Sequence, residues 1–203
     1  MTDTFKEFMR QYEMTGREKA DGYTQSAFLG LNNLEKEEVF NMLVKELPYS
    51  VQWLFFLDKD KALPLVKQEE KKKRGNGFSR VYMLQEELLN HTGDLSYQKS
   101  MIEDYSSYVD YLKPLVVDAI GRTPPTIESV SFLKQVILTE TDGDAVSRAA
   151  HRLLKALDVP RVSEADETNY RKLIDDLESD NVTEKLNAFK RLTKFETQLS
   201  SNA

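Results

Sequence analysis

The chain has 203 residues, of which 40% are hydrophobic, and this is enough to form a buried core without disulfides or structural metal ions. It contains no cysteine, which excludes disulfides, zinc–thiolate sites and thiol nucleophiles. A formal net charge of −6 argues against general binding of nucleic-acid phosphates, which requires clustered lysine and arginine, and favours a protein partner with a basic surface.

Residues 1–33 predict an N-terminal cap helix and a lead-in. Their start, MTDTFKEFMRQYE, mixes charged and apolar residues at helical spacing, without the basic and apolar regions of a signal peptide. The longest apolar patch, residues 53–57, is far shorter than the roughly 20 residues that a membrane span requires. We therefore expect a cytoplasmic protein that does not enter a membrane.

Helical periodicity continues from residue 34 to residue 197, and no stretch alternates as a strand does. In LEKEEVFNMLVKEL the residues Leu34, Val39 and Leu43 share one face, and Asn33 is the expected cap. Short links with Asp, Gly, Pro or Asn separate the helices, for example HTGDLS, GRTPPT and ESDNVT. The pattern predicts an all-α fold of short helical hairpins.

The helical segments also recur at a regular interval. From the anchors Phe78, Val109, Val146 and Val182, an apolar residue follows ten positions later each time. The anchors lie 31, 37 and 36 residues apart, which is close to the length of a helix-turn-helix repeat. With one earlier pair that starts at Leu34, this spacing predicts about five antiparallel helix pairs, followed by a disordered tail at residues 198–203.

Three segments resemble HEAT-type repeats, which belong to the armadillo-type class of helical repeats: YVDYLKPLVVDAIGR, DGDAVSRAAHRLLKALDVP and LIDDLESDNVTEKLNAFKRLTKF. Val146 and Arg148 match the start of the second helix of such a repeat, and Gly121 closes an Ala-Ile-Gly ending. The resemblance implies an α-solenoid that forms a single domain over residues 1–203, with a long concave surface that holds another macromolecule.

The same segments depart from the family pattern at two positions. Asp110 stands where the family favours arginine, and Pro114 lies inside a helical pattern. Proline removes a backbone donor and clashes with the preceding turn, so we expect Pro114 either to kink this helix or to open a new one at its first turn. The boundaries of the pair around residues 105–114 follow least clearly from the sequence.

No catalytic, metal or cofactor site is expected. His91 and His151 have no nucleophile to activate, because the sequence contains neither a cysteine nor a Gly-x-Ser-x-Gly elbow. The two histidines also do not stand at metal-binding spacing. The acidic stretch TETDGD resembles a calcium loop, but with Gly143 as the sixth position both end ligands are missing. Its carboxylates are explained by a turn in which Asp142 or Asp144 caps the next helix.

The residues that point to a partner are the tyrosines and carboxylates of DYSSYVDYL and of the acidic turn. The tyrosines fall at every third position, and tyrosine buries a large area while it keeps a polar tip. An alternative is that Tyr108 packs between helices and the other two partly cover the core. The predicted partner-binding residues are Asp104, Tyr105, Tyr108, Asp110, Tyr111, Asp142 and Asp144.

These observations predict a non-catalytic protein-binding solenoid with an acidic surface. Small acidic HEAT-like proteins resemble some bacterial immunity proteins, and this resemblance implies a basic toxin as the partner that is occluded. The alternatives are an enzyme or enzyme accessory on the same scaffold, such as a lyase, and a scaffold subunit of a larger assembly. A deep closed pocket that holds His91 or His151 would favour chemistry.

Overall fold

The computed structural model describes residues 1–20 and 22–199. Within these ranges the chain forms twelve α-helices and no β-strand, which confirms the predicted all-α fold class. None of the helices so described has both the length and the hydropathy that crossing a membrane would require. Of the tail expected to be disordered, residues 198 and 199 belong to the last helix, and residues 200–203 lie outside the described residues.

The chain divides into two compact units, Met1–Glu69 and the part from Glu70 onward, and the division falls within the fifth helix. The first unit contains a 3₁₀ turn at Gln25–Ala27 between its second and third helices. Its α-helices are α1 (Asp3–Tyr12), α2 (Gly16–Ala20), α3 (Asn33–Val44), α4 (Val51–Leu57) and the first part of α5 (Lys59–Lys73).

The core of the first unit is aromatic. The rings of Phe28 and Trp53 stack with centroids 4.6 Å apart, and Phe8 meets Phe28 edge-on at 5.7 Å. Helix α3 begins with a capping box in which Asn32, one residue before the predicted Asn33, accepts from the backbone N–H of Glu35. The Glu35 carboxylate in turn accepts from the backbone N–H of Thr2 over 2.6 Å, which ties α1 to α3.

The second unit contains seven further helices, and consecutive helices pack on one another. In addition α7 packs on α9, α8 on α10, and α12 on α9. The helices are α6 (Val81–Thr92), α7 (Ser96–Asp104), α8 (Lys113–Arg122), α9 (Ile127–Thr139), α10 (Gly143–Ala156), α11 (Glu164–Glu178) and α12 (Val182–Leu199).

The segment between α7 and α8 is irregular, which explains why its boundaries are hard to read. It contains 3₁₀ turns at Tyr105–Ser107 and Asp110–Leu112, and Pro114 lies in the first turn of α8. Pro114 therefore opens a helix, which is the second of the two expected outcomes. The loop between α5 and α6 lies closely against this segment, because a Cβ on Gly77 would lie 1.9 Å from the carbonyl oxygen of Ser107.

Helices α8 and α10 approach closely at another glycine, Gly121. A Cβ at this position would lie 2.4 to 2.6 Å from the Cβ, Cγ and Cδ atoms of Arg152. The stem of Arg152 therefore occupies the space that a side chain on Gly121 would need. This packing brings the guanidinium of Arg152 to Asp118, one turn before Gly121 on α8.

Candidate interaction site

The three predicted tyrosines do not share a surface. The side chains of Tyr105 and Tyr108 are 8% and 3% exposed, whereas Tyr111 is 65% exposed. Tyr105 packs edge-on against Phe132 with centroids 4.9 Å apart, and Tyr108 packs against Tyr82. Residues spaced three apart would lie on one face of an α-helix, but this segment is an irregular link with two 3₁₀ turns. Tyr105 and Tyr108 therefore belong to the core, as the alternative interpretation expects for Tyr108, and Tyr111 remains available to a partner.

The hydroxyl groups of Tyr105 and Tyr108 are buried without a hydrogen-bond partner in the described part of the chain. Burial raises the pKa of both phenols above the usual value. The carboxylates of Glu140 and Asp142 raise the pKa of Tyr105 further, because they disfavour a second negative charge beside them. Both residues are therefore neutral packing groups at neutral pH.

Carboxylates from two segments gather around Tyr105 and Lys113. The Nζ atom of Lys113 lies 3.2 Å from Asp110 and 3.4 Å from Glu140. Burial lowers the pKa of Lys113, but these carboxylates outweigh burial and hold the pKa above its usual value. We call this surface the acidic rim, defined as Asp110, Tyr111, Glu140, Asp142 and Asp144.

The acidic turn within the rim begins a helix. Helix α9 ends at Thr139, and the Asp142 carboxylate accepts from the backbone N–H of Ala145 over 2.9 Å. The prediction that an aspartate caps this helix is confirmed, and the cap is Asp142. Asp144 lies one position inside α10 with a side chain that is 61% exposed, and it accepts from Nε of Arg148 over 3.1 Å.

Asp104 makes its contacts with residues that are not part of the acidic rim. It accepts from Nε of Arg74 over 2.9 Å, and Arg74 also pairs with Glu103 over 2.8 Å. The Asp104 side chain is largely covered, and its contacts lie with the end of α5 and with Gln85 of α6. The structure thus separates this residue from the other predicted carboxylates, which spacing in the sequence did not reveal.

An open groove that the sequence analysis did not predict runs along α10. It has a volume of about 510 Å³, and Asp118 of α8, the link after α10 and Tyr170 of α11 also line it. Four basic residues of α10 face it at the helical spacing i, i+3, i+4 and i+7. These residues are Arg148, His151, Arg152 and Lys155. A second hollow of about 340 Å³ shares His151, Arg161 and Tyr170 with the first and continues to Arg171.

We call these two hollows together the cationic groove, because arginine side chains line both of them. Two carboxylates in the groove are each shared by two arginines. Asp118 accepts from Arg148 and, over 2.8 Å, from Nε of Arg152. Glu167 accepts from Arg161 over 2.8 Å and from Arg171 over 3.0 Å. The Glu167 cluster therefore keeps an excess positive charge, whereas Arg148 of the Asp118 cluster also pairs with Asp144.

Lys155 and His151 add to this surface. Both side chains are exposed, and neither makes a hydrogen bond or an ion pair with any residue in the ranges 1–20 and 22–199. The guanidinium of Arg161 lies 4.5 Å from the ring centre of buried Tyr170 and covers it. The signal for this groove was present in RAAHRLLK, whose basic residues repeat at helical spacing.

The structure places the two histidines on separate helices. Nε2 of His91 lies 3.4 Å from Glu87, one turn earlier on α6, and burial raises the pKa of that carboxyl. His151 lies in the open groove. Among the residues whose placement is described, no cluster of three or more His, Asp or Glu side chains could hold a metal ion.

The chain was compared with protein-family models, with curated proteins and with solved structures, and none of the three comparisons found a match. The functional interpretation therefore comes from the geometry and the charges of the two surfaces.

Proposed function

We propose that the chain is a non-catalytic protein-binding domain that holds the basic surface of another protein at its acidic rim. One observation carries this proposal: Asp110 from one segment and Glu140 from another both pair with Lys113, and Asp142 acts with them on the neighbouring Tyr105. Tyr111, which follows Asp110 in the chain, is exposed. Carboxylates that lie together favour a cationic partner, and an exposed tyrosine beside them adds apolar contact area.

The exposure of the rim fits recognition of a folded surface. The side chain of Asp110 is 86% exposed and that of Asp144 is 61% exposed, so both are accessible to arginine or lysine of a partner. Charge-assisted hydrogen bonds of this kind are stronger than neutral ones and accelerate encounter. Tyr111 then supplies the anchor that charge alone does not.

For the architecture we propose a HEAT-like solenoid of stacked helix pairs. In the second unit the pairs are α7 with α8, α9 with α10, and α11 with α12. The packing of α7 on α9 and of α8 on α10 supports the proposal, because corresponding helices of adjacent repeats are neighbours in such stacks. The complete set of about five pairs over residues 34–197 stays a prediction.

For the partner we propose a basic toxin, with the chain acting as its immunity protein. The support is the resemblance of the repeat-like segments to HEAT-type proteins, together with the acidity of the rim. A nuclease-type toxin binds its substrate with a cationic surface, so the rim would inhibit it by covering that surface. This step is an analogy at the level of the fold.

The alternative of an enzyme or enzyme accessory on this scaffold requires a pocket that encloses a reactive group. His151 is exposed in an open groove, which favours binding over chemistry as its role. The other alternative, a scaffold subunit of a larger assembly, is also a binding function. It predicts that affinity capture recovers several subunits of one assembly, whereas the proposed function predicts a single basic protein.

Affinity capture from the native lysate tests the proposed function. The wild-type chain is compared with Asp110→Asn/Tyr111→Ala and with the control Asp180→Asn/Leu186→Ala, which changes exposed residues outside the rim. We expect one basic protein that the wild type and the control retain, and that the rim variant binds at least about tenfold more weakly with unchanged helicity. Recovery of a small molecule without a protein, or equal retention by the rim variant, would overturn the proposal.

A further inference from the structure

We propose that Lys113 acts as an internal competitor in the acidic rim, so that the rim selects a partner that presents arginine rather than lysine. This inference rests on the proposed function, because it concerns the same surface and names the chemistry of the side chain that the surface takes. It also assigns the role of setting that selectivity to Lys113, a residue that pairs with the rim.

The charges of the rim favour the addition of a cation. In the described ranges of the chain, the four carboxylates of the rim pair with two cations. Lys113 pairs with Asp110 and Glu140. Arg148 pairs with Asp144, and it is shared with a carboxylate of α8 outside the rim. The rim therefore carries more negative than positive charge, which attracts a further cation.

The contacts between Lys113 and the rim are long. Its Nζ atom lies 3.2 Å from Asp110, and 3.4 Å and 3.5 Å from the two carboxylate oxygens of Glu140. Charge-assisted hydrogen bonds between a nitrogen cation and a carboxylate are usually about 2.7–2.9 Å long. The ammonium is thus divided between two carboxylates without a short bond to either of them, so a better donor can replace it at Glu140.

Glu140 is the carboxylate that Lys113 masks. The side chains of Glu140 and Lys113 are 17% and 18% exposed, whereas that of Asp110 is 86% exposed. The ring of Tyr105, whose centre lies 5.9 Å from Nζ of Lys113, helps to hold the ammonium over Glu140. A cation of the partner must therefore displace Lys113 to reach Glu140. The flexible stem of Lys113 allows it to keep its contact with Asp110 when it moves.

A guanidinium improves on this arrangement, and a second ammonium does not. The pair of Arg122 with Glu86 shows the difference within the same chain, because Nε and Nη2 donate over 2.6 Å and 2.7 Å to the two carboxylate oxygens. An arginine of the partner can make the same planar contact of two bonds with Glu140. A lysine of the partner would only replace one ammonium by another. The rim should therefore discriminate between two cations of equal charge.

Fluorescence anisotropy at low salt tests this inference with labelled hexaarginine and labelled hexalysine, two peptides of equal charge. We expect the wild type to bind hexaarginine at least about fivefold more tightly than hexalysine. Lys113→Met should tighten the binding of hexalysine at least about fivefold, because it unmasks Glu140. The control Lys99→Met removes an equal charge on α7, where Lys99 is 74% exposed and pairs with Glu103 over 3.9 Å. This control should change both affinities less than about twofold.

Lys113→Arg guards against an effect of net charge or of misfolding, because it keeps both the charge and the donor at the rim. Its guanidinium should hold Glu140 more firmly than the ammonium does, so hexaarginine should bind at least about fivefold more weakly than it binds to the wild type. Equal binding of the two peptides by the wild type, equal effects of Lys113→Met and Lys99→Met, or unchanged binding by Lys113→Arg would each overturn the inference.

The rim variant Asp110→Asn/Tyr111→Ala separates this inference from the proposed function. It should weaken the binding of hexaarginine, because the rim is the proposed site. No binding of hexaarginine by the wild type, or binding that the rim variant leaves unchanged, would contradict the proposed function and overturn this inference with it. Binding that depends on the rim but not on Lys113 would overturn this inference alone.

Discussion

Arg152 joins α8 to α10 by donating from Nε to Asp118 over 2.8 Å, while its stem fills the space where Gly121 lacks a side chain. One residue thus combines close packing with an ion pair at the base of the cationic groove. The contact lies on α10, the helix that begins at the acidic rim and lines the groove.

We expect Gly121→Ala to lower the free energy of unfolding by about 1–3 kcal/mol. The added methyl group would overlap the Cβ, Cγ and Cδ atoms of Arg152, so α8 and α10 must move apart. Gly143→Ala is the matched control, because nothing lies within 4 Å of its added Cβ, and alanine favours a helix start as well as glycine does or better. Urea denaturation measures both, and equal stability of the two variants would contradict the packing described.

Asp118 should make the free energy of unfolding depend on pH in the acid range. Burial raises its pKa, but the hydrogen bonds from Arg152 and Arg148 outweigh burial and hold the pKa below its usual value. The folded state therefore gains stability above the ordinary carboxyl pKa, near 4, and loses it as the pH falls through the lowered value.

The variant Asp118→Asn should be about 1–3 kcal/mol less stable than the wild type at neutral pH, because Arg152 loses its carboxylate and Arg148 keeps only its pair with Asp144. The difference should shrink as the pH falls below about 4, where the wild type loses the same interaction. Unfolding by urea at a series of pH values measures this, and a constant difference at every pH would contradict it.

The two aspartates of the acidic turn should differ in their effect on stability. Asp142→Ala removes the cap of α10 and should cost about 0.5–2 kcal/mol, whereas Asp144→Ala removes only an exposed pair with Arg148 and should cost less than about 0.5 kcal/mol. Thermal unfolding of the two variants checks this order. Equal losses would mean that Asp142 does not act as the cap.

Removal of the Tyr105 hydroxyl should not destabilise the protein. This hydroxyl is buried without a hydrogen bond to any residue of the described ranges, so Tyr105→Phe removes a desolvated polar group. We expect its unfolding free energy to equal or exceed that of the wild type, and Tyr105→Ala to cost about 3–5 kcal/mol. A clear loss in the phenylalanine variant would show that the hydroxyl has a partner.

Several local features could be predicted from the sequence because they depend on local physical chemistry. Helical periodicity predicted the all-α class, and Gly143 with Asp142 or Asp144 marked the turn before α10. Pro114 indicated either a kink or a helix start, and it lies at the start of α8. These signals depend on residues that lie within one turn of each other. Where the chain leaves the helix, as between α7 and α8, periodicity no longer says which side chain faces the core, and Tyr105 and Tyr108 are buried for that reason.

The surfaces depend on contacts between distant segments, and spacing did not reveal them. Asp104 pairs with Arg74, thirty residues earlier, and Glu140 meets Lys113, twenty-seven residues earlier. The basic stripe of α10 was visible in the sequence, but the groove requires α11 beside it. Only the folded arrangement shows that an acidic and a basic surface lie on the same helix.

Hydrogen–deuterium exchange on the complex with the captured basic partner tests the central claim most directly. The claim is that the partner covers the acidic rim. We predict slower amide exchange at residues 110–113 and 140–144 when the partner is bound, with little change along α12. Protection confined to other segments, or none at residues 110–113 and 140–144, would contradict the claim.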